Sequence, residues 1–209
     1  GSFMEAVQEI QKILNVKGKI IPATTQVITL LAEMQDGVIV RGEANIPTRA
    51  NRIRRVFYDQ KVKAEPDALK AIQHADLIIY GIGSVYTSIL PNVIIPEMQQ
   101  ALVQSHAKKV YFCNAMTQPG ETDGYSLEDH VSALLDHGAP VDAVITSTEV
   151  IPHEILKHYR EEGSTPVYIR DVSHEYDIIR KPLLVFRNGL IRHDPVEIGL
   201  AVEQLIKEL

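Results

Sequence analysis

From residue 53 onward the chain alternates short apolar runs with amphipathic stretches, and this alternation constrains the fold more than any other feature. Runs such as "DLIIYG" and "KVYFCN" are apolar without the every-second-residue break of a half-wet strand, so they require cover on both faces. Strands are predicted at "RVFY", "DLIIYG", "KVYFCN", "AVITS", "VYI" and "LLVF", with helices near residues 66 to 73, 93 to 106, 126 to 136, 152 to 162 and 195 to 208. Strand and helix in turn imply α/β: a mostly parallel sheet with helices on both faces.

The chain ahead of this region reads differently. "SFMEAVQEIQKIL" is an amphipathic helix with Phe3, Val7, Ile10 and Leu14 on one side, "VKGKIIPAT" a short strand, and "VITLLAEM" and "VIVRGEA" a β-hairpin about the turn "QDG". A core helix with no strand before it predicts an upstream piece outside this chain. No repeat or long linker divides residues 1–209, so one domain is expected, and a chain of 209 residues removes roughly 70% of its unfolded surface from water.

Composition narrows the function. A single cysteine, Cys113, precludes an internal disulfide framework, and the sequence has no apolar run of membrane-spanning length, which points to the cytoplasm. The net charge of -6 argues against a nucleic-acid partner, which would need a broad basic face. "RANRIRR" places Arg49, Arg52, Arg54 and Arg55 together, either as a local anion attractor or as a solvated loop or interface.

In open parallel sheets ligands sit beyond the carboxyl ends of strands, which directs attention to the loops after Tyr80, Phe112 and Thr146. After Tyr80 comes "GIGSVYTSILPN". Gly81 and Gly83 let backbone amides approach a ligand, Ser84, Thr87, Ser88 and Asn92 add polar groups, and a helix beginning near Ser84 would aim its positive end at the same point. Phosphate or carboxylate fits; a glycine turn with Ser84 capping a helix fits as well. Tyr86 replaces the third glycine of a dinucleotide fingerprint, no lysine follows to make a P-loop, and Ile82 breaks the hydrolase elbow.

The loop after Phe112 crowds Asn114, Thr117, Gln118, Glu121, Thr122 and Asp123 among Pro119, Gly120 and Gly124. Glu121 and Asp123 are hard oxygen donors suited to Mg²⁺ bridging to a phosphate, while a plain turn leading to a Ser126–Asp129 capping box is the structural alternative. No cofactor is required by this pattern; Mg²⁺ is the one candidate. Cys113 ends a strand with no nearby histidine and reads as core. His153 and His158 are five apart, not four, so zinc is set aside. In "VFRNGLIRHDP" Asp194 and Pro195 begin a helix, and the planar fork of Arg192 matches a diphosphate or carboxylate, or a surface ion pair.

The segments "ILNVKGKIIPAT", "ADLIIYGIGSVYTSILPN", "CNAMTQPGETDGYSLEDHV" and "IRHDP" resemble, in that order, those of the gluconeogenesis-factor family (YvcK-like), relatives of the 2-phospho-L-lactate transferases (CofD). The resemblance implies a Rossmann-like, cytoplasmic protein that binds a nucleotide-sugar of the UDP-N-acetylglucosamine kind and supports gluconeogenic growth and cell shape. The transferase relatives instead pass a phospholactyl group to a deazaflavin with magnesium. It further implies phosphate binding by Gly81, Gly83, Ser84, Thr87, Ser88 and Asn92, a ligand-facing loop from Asn114 to Asp123, and a nucleotide-sugar contact from Arg192 in "RHD". Pro195 stands where some members carry threonine, and relatives carry a further glycine-rich amino-terminal loop. Three functions follow: a non-catalytic nucleotide-sugar-binding regulator, a phospholactyl-transferase-like enzyme, and a structural or interaction module, the chain being expected to form a homo-oligomer.

Overall fold

The computed structural model describes residues 3–13 and 17–209. The amphipathic opening forms α1 (Phe3–Ile13), with Phe3 and Ile10 exposed; Leu14 lies outside the described residues. Of the strand expected over "VKGKIIPAT", residues 17–24 form none, and Ile21 and Ala23 pack instead against a small cluster of Val62, Ala68, Ile95 and Met98.

The hairpin is present. β1 (Leu30–Met34) pairs antiparallel with β2 (Ile39–Arg41) across a turn in which Gly37 has φ +82°, a conformation other residues avoid. The Asp36 carboxylate closes the turn by accepting the Val38 amide at 3.1 Å. The run containing "RVFY" forms β3 (Ile53–Tyr58), but it corrects the expectation of a first parallel strand. β3 pairs antiparallel with β1, Ala32 opposite Val56, in a separate three-stranded sheet ordered β2-β1-β3.

The main sheet contains β4 (Leu77–Tyr80), β5 (Lys108–Phe112), β6 (Ala143–Ser147) and β7 (Asp177–Lys181), all parallel and in chain order. The fourth strand is "DIIRK" rather than "VYI", which lies along the 115–117 loop with one bridge between Met116 and Pro166. "LLVF" likewise stays out of this sheet. As β8 (Leu184–Arg187) it forms a two-stranded ribbon with β9 (Leu190–His193) about Asn188 and Gly189, both with positive φ, as a tight hairpin requires.

Helices α2 (Pro66–Gln73), α3 (Leu90–Val93), α4 (Pro96–Gln104), α5 (Leu127–Asp136), α6 (His153–Glu161) and α7 (Pro195–Lys207) complete the chain. The expected helix over 93 to 106 is therefore broken at Ile94 and Ile95, where Pro96 has no amide to continue it. α5 begins on the capping box foreseen at Ser126 and Asp129, and Asp194 caps α7.

Strand alternation divides the core. Tyr80, Tyr111 and Val144 join Leu127, Val131 and Leu134 of α5, while Val110, Phe112, Ala143 and Ile145 face Ala201 and Leu205 of α7 and the ribbon. Each such Val, Leu, Ile or Phe side chain, taken out of water, contributes about 1.5–3 kcal/mol. A buried histidine fastens the antiparallel sheet to α5: the Val56 amide donates to His137 Nε2 at 3.0 Å, so Nδ1 carries the proton toward the Ala133 carbonyl at 2.6 Å. Among the described residues no helix is long and apolar enough to cross a membrane.

Candidate functional site

β4 delivers the chain to Gly81, where neither glycine uses left-handed φ. Their need is space. A Cβ on Gly83 would stand 2.8 Å from Ser88 Cβ, whereas one on Gly81 meets nothing within 4 Å. The turn then enters a π-helical segment, Val85–Ile89, that runs into α3. Such widened turns concentrate at functional sites.

Beside this loop lies a mostly apolar hollow of about 460 Å³, whose lining includes Gly81, Gly83, Ser88 and Asn92 together with Ile79, Ile82, Val93 and Met98. Among the described residues the backbone amides of Ile82, Gly83 and Ser84 donate to no group of the chain. Ser84 makes no side-chain cap, so the expectation that it caps a helix through its hydroxyl is corrected. Asn92 spends one donor on the Ser88 carbonyl at 2.8 Å.

The loop after β5 is bound to this one. Asn114 Nδ2 donates to the Gly83 carbonyl at 3.1 Å, and the Tyr111 hydroxyl holds Asn114 Oδ1 at 2.7 Å. Thr87 Oγ1 donates to Glu121 Oε1 at 2.8 Å, and Gln118 Nε2 does so at 2.6 Å. Glu121 is 2% exposed, and its Oε2 is buried without a hydrogen bond. Burial raises its pKa, while the Thr87 hydroxyl and the amides of Thr87 and Tyr86 act the other way. The start of the π-helical segment is thus faced by the protein's own carboxylate, while the amides of residues 82 to 84 have no acceptor among the described residues.

The other polar residues of that loop serve its shape. Buried Thr117 pairs with Thr165 through backbone and hydroxyl, and buried Thr122 accepts the Gln118 amide at 2.8 Å. Gly120 has φ +78°, and a Cβ there would fall 1.9 Å from the Pro47 carbonyl oxygen. Exposed Asp123 accepts the Gly120 amide at 2.8 Å. Glu121 and Asp123 therefore serve different partners, and among the described residues no group of three His, Cys, Asp or Glu could hold a metal ion. As arranged, the two carboxylates do not form a shared magnesium site.

Arg192 does not border the hollow. It sits on β9, exposed, with Nη1 donating to the Ile191 carbonyl at 3.1 Å. Its neighbour His193 faces Glu149, at the end of β6. Glu149 accepts the amides of Leu184 and Thr148 at 2.7 Å and 3.1 Å, and His193 Nε2 is buried without a partner. Burial lowers the His193 pKa against the pull of Glu149. Neither residue was selected from the sequence, although the loop after Thr146 was; a lone Glu there carries no spacing signal. Cys113 is buried and its thiol is pushed up to about 12 by desolvation, consistent with core rather than nucleophile.

An open parallel sheet flanked by helices, with unpaired amides and a hollow beside the carboxyl end of β4, places the chain among the open α/β proteins, a class whose ligands sit at the carboxyl ends of strands. The family model described as 2-phospho-L-lactate transferase CofD matches residues 1–184, and the chain belongs to that family. Within it, the chain is 41% identical over its whole length to the gluconeogenesis factor of Bacillus subtilis, of which it covers 68%. It is 44% identical over 81% of its length to that of Halalkalibacterium halodurans, of which it covers 53%. A crystal structure of a UPF0052 family member from Bacillus halodurans superposes with a TM-score of 0.90 at 39% identity, over 97% of this chain and 67% of that one. The chain thus spans between about half and two thirds of these relatives' lengths.

Proposed function

We propose that this chain belongs to a gluconeogenesis factor that binds a nucleotide-linked sugar of the UDP-N-acetylglucosamine class and acts in the cytoplasm as a regulator of carbon metabolism and cell shape. The observation that carries it is the set of unspent amides at Ile82, Gly83 and Ser84 beside a mostly apolar hollow. Successive amides with no internal acceptor suit a diphosphate, and an apolar lining suits the flat face of a base. The relatives' name, gluconeogenesis factor, supplies the link to carbon metabolism. Among the described residues that line the hollow, no nucleophile stands beside a general base, which favours binding over catalysis.

Titration calorimetry of the full-length protein with UDP-N-acetylglucosamine tests this. Gly81→Asp adds a side chain where nothing lies within 4 Å, so the fold is retained while a negative charge enters the cradle. Affinity should fall about tenfold or more, equivalent to about 1.4 kcal/mol, while Gly18→Asp leaves it unchanged. Equal affinity in both variants would remove the site from this loop. Arg192→Ala asks separately whether the distant guanidinium reaches the same ligand.

The family model's own description favours a second reading, transfer of a phospholactyl group. Incubation with nucleotide-activated phospholactate, a deazaflavin and Mg²⁺ would then give the coupled product; its absence rejects the enzyme.

A further inference from the structure

The peptide between Gly83 and Ser84 is held from one side. Asn114 Nδ2 donates to the Gly83 carbonyl at 3.1 Å, while the Ser84 amide donates to no group among the described residues. A trans peptide sets its C=O and N–H in opposite directions, so a carbonyl drawn toward the loop after β5 aims the Ser84 amide away from that loop. The hollow lies on the far side: its lining comes from α2 to α4, with nothing from β5 or beyond.

Gly83 adds little restraint of its own, because without a Cβ its ψ is broadly free. The next carbonyl, that of Ser84, is already committed to the amides of Ser88 and Ile89 at 2.9 Å and 3.0 Å. Asn114 is oriented in its turn. The Tyr111 hydroxyl donates to Asn114 Oδ1 at 2.7 Å, which leaves Nδ2 as the group that meets Gly83. Tyr111 is fully buried, and burial pushes its pKa well above the ordinary value, so the hydroxyl keeps its proton and remains a donor. A hydrogen bond on the Gly83 carbonyl also polarises the peptide, which makes the Ser84 N–H a stronger donor to an anion.

We infer that Asn114, oriented by Tyr111, is a positioning residue of the anion cradle: it turns the Gly83–Ser84 peptide so that the Ser84 amide faces a diphosphate. The inference rests on the reading of residues 82 to 84 as that cradle, and it separates the residues that meet the ligand from those that aim them. Asn114 has both ends of its amide engaged within the chain and does not border the hollow.

Amide NMR spectra of the full-length protein, titrated with inorganic diphosphate, test this, because Asn114 bears on one of the three amides only. In the parent, Ile82, Gly83 and Ser84 should all shift. Asn114→Leu keeps the branched shape and removes the donor. In that variant Ser84 should lose its response while Ile82 keeps one, and affinity should fall about tenfold or more, the worth of one hydrogen bond to a charged group. Tyr111→Phe leaves the donor but frees it to turn, so its loss should be smaller, and it serves if Asn114→Leu does not fold. An unchanged Ser84 response in these variants overturns the inference. So does an equal loss at all three amides, the mark of a loop that has come apart. No response at any amide of the parent would instead reject the cradle itself, and the inference with it.

Discussion

Thr87 Oγ1 donates to Glu121 Oε1 at 2.8 Å, joining the loops that follow β4 and β5 across 34 residues of sequence. The carboxylate is buried and one of its oxygens has no hydrogen bond, so its charge is held at a cost. Its pKa in the fold is raised, mainly by desolvation. A raised carboxyl favours the folded state below its unfolded pKa of 4.5 and loses that advantage as pH rises through the folded value. Glu121→Gln keeps the shape and removes the charge. The melting temperature of the variant relative to the parent should therefore rise between pH 4 and pH 7. A difference that is constant across that range would show that Glu121 carries no such cost.

Gly120 tests the contact between the loop after β5 and the segment that joins β2 to β3. Its φ is +78° and its missing Cβ would meet the Pro47 carbonyl oxygen at 1.9 Å, which only backbone movement relieves. Gly120→Ala should cost about 3 kcal/mol or more, through strain and overpacking together. Gly124 has φ +68° with nothing within 4 Å, so Gly124→Ala isolates the backbone term at about 1 kcal/mol. Denaturant midpoints of the two variants measure the difference. Equal losses would mean that the approach to Pro47 is not close.

How far the sequence announced all this depends on how local each signal is. The Asp36–Gly37 turn and the Ser126–Asp129 box are decided within four residues, and both are present. β7 was hidden because Asp177, Arg180 and Lys181 give "DIIRK" the look of a loop; pairing with β6 overrides that composition. "VYI" has the better strand composition, yet Pro166 has no amide to offer a ladder, and the segment settles along the 115–117 loop. At the site, Gly83 was legible as a place of close approach, but the partner proved to be Ser88. Glu121 looked like a ligand donor because acidic residues on a glycine turn usually face water. Its burial depends on Thr87, a contact that no local pattern encodes.

Ser126 joins the start of α5 to the segment around Arg170. Its hydroxyl accepts the Asp129 amide at 3.2 Å and Arg170 Nε at 2.8 Å, and Arg170 also pairs with Asp129. Ser126→Ala removes the cap and leaves the α5 end without its acceptor, for a cost of about 1–2 kcal/mol. Arg170→Ala should cost less, since its guanidinium side is partly exposed and such pairs contribute little. Urea midpoints order the two; a larger loss at Arg170 would place the anchor in the ion pair instead of the cap.

His130 and His137 are buried on α5, each turning Nδ1 toward a carbonyl one turn back, Ser126 and Ala133. Desolvation holds both pKa values below 6.5 despite those carbonyls. Below that value the unfolded chain takes up protons that the folded chain resists, so stability falls as pH drops from about 7 toward 5. At His137 the proton would also displace the Val56 amide from Nε2, freeing β3 from α5. The carboxyls of Glu128 and Asp129 are held low and lose their contribution only at more acidic pH, below the ordinary values of 4.5 and 3.8. Urea midpoints at pH 7 and pH 5 should therefore differ in the parent and differ less in His137→Gln. An unchanged slope in that variant would assign the acid sensitivity elsewhere.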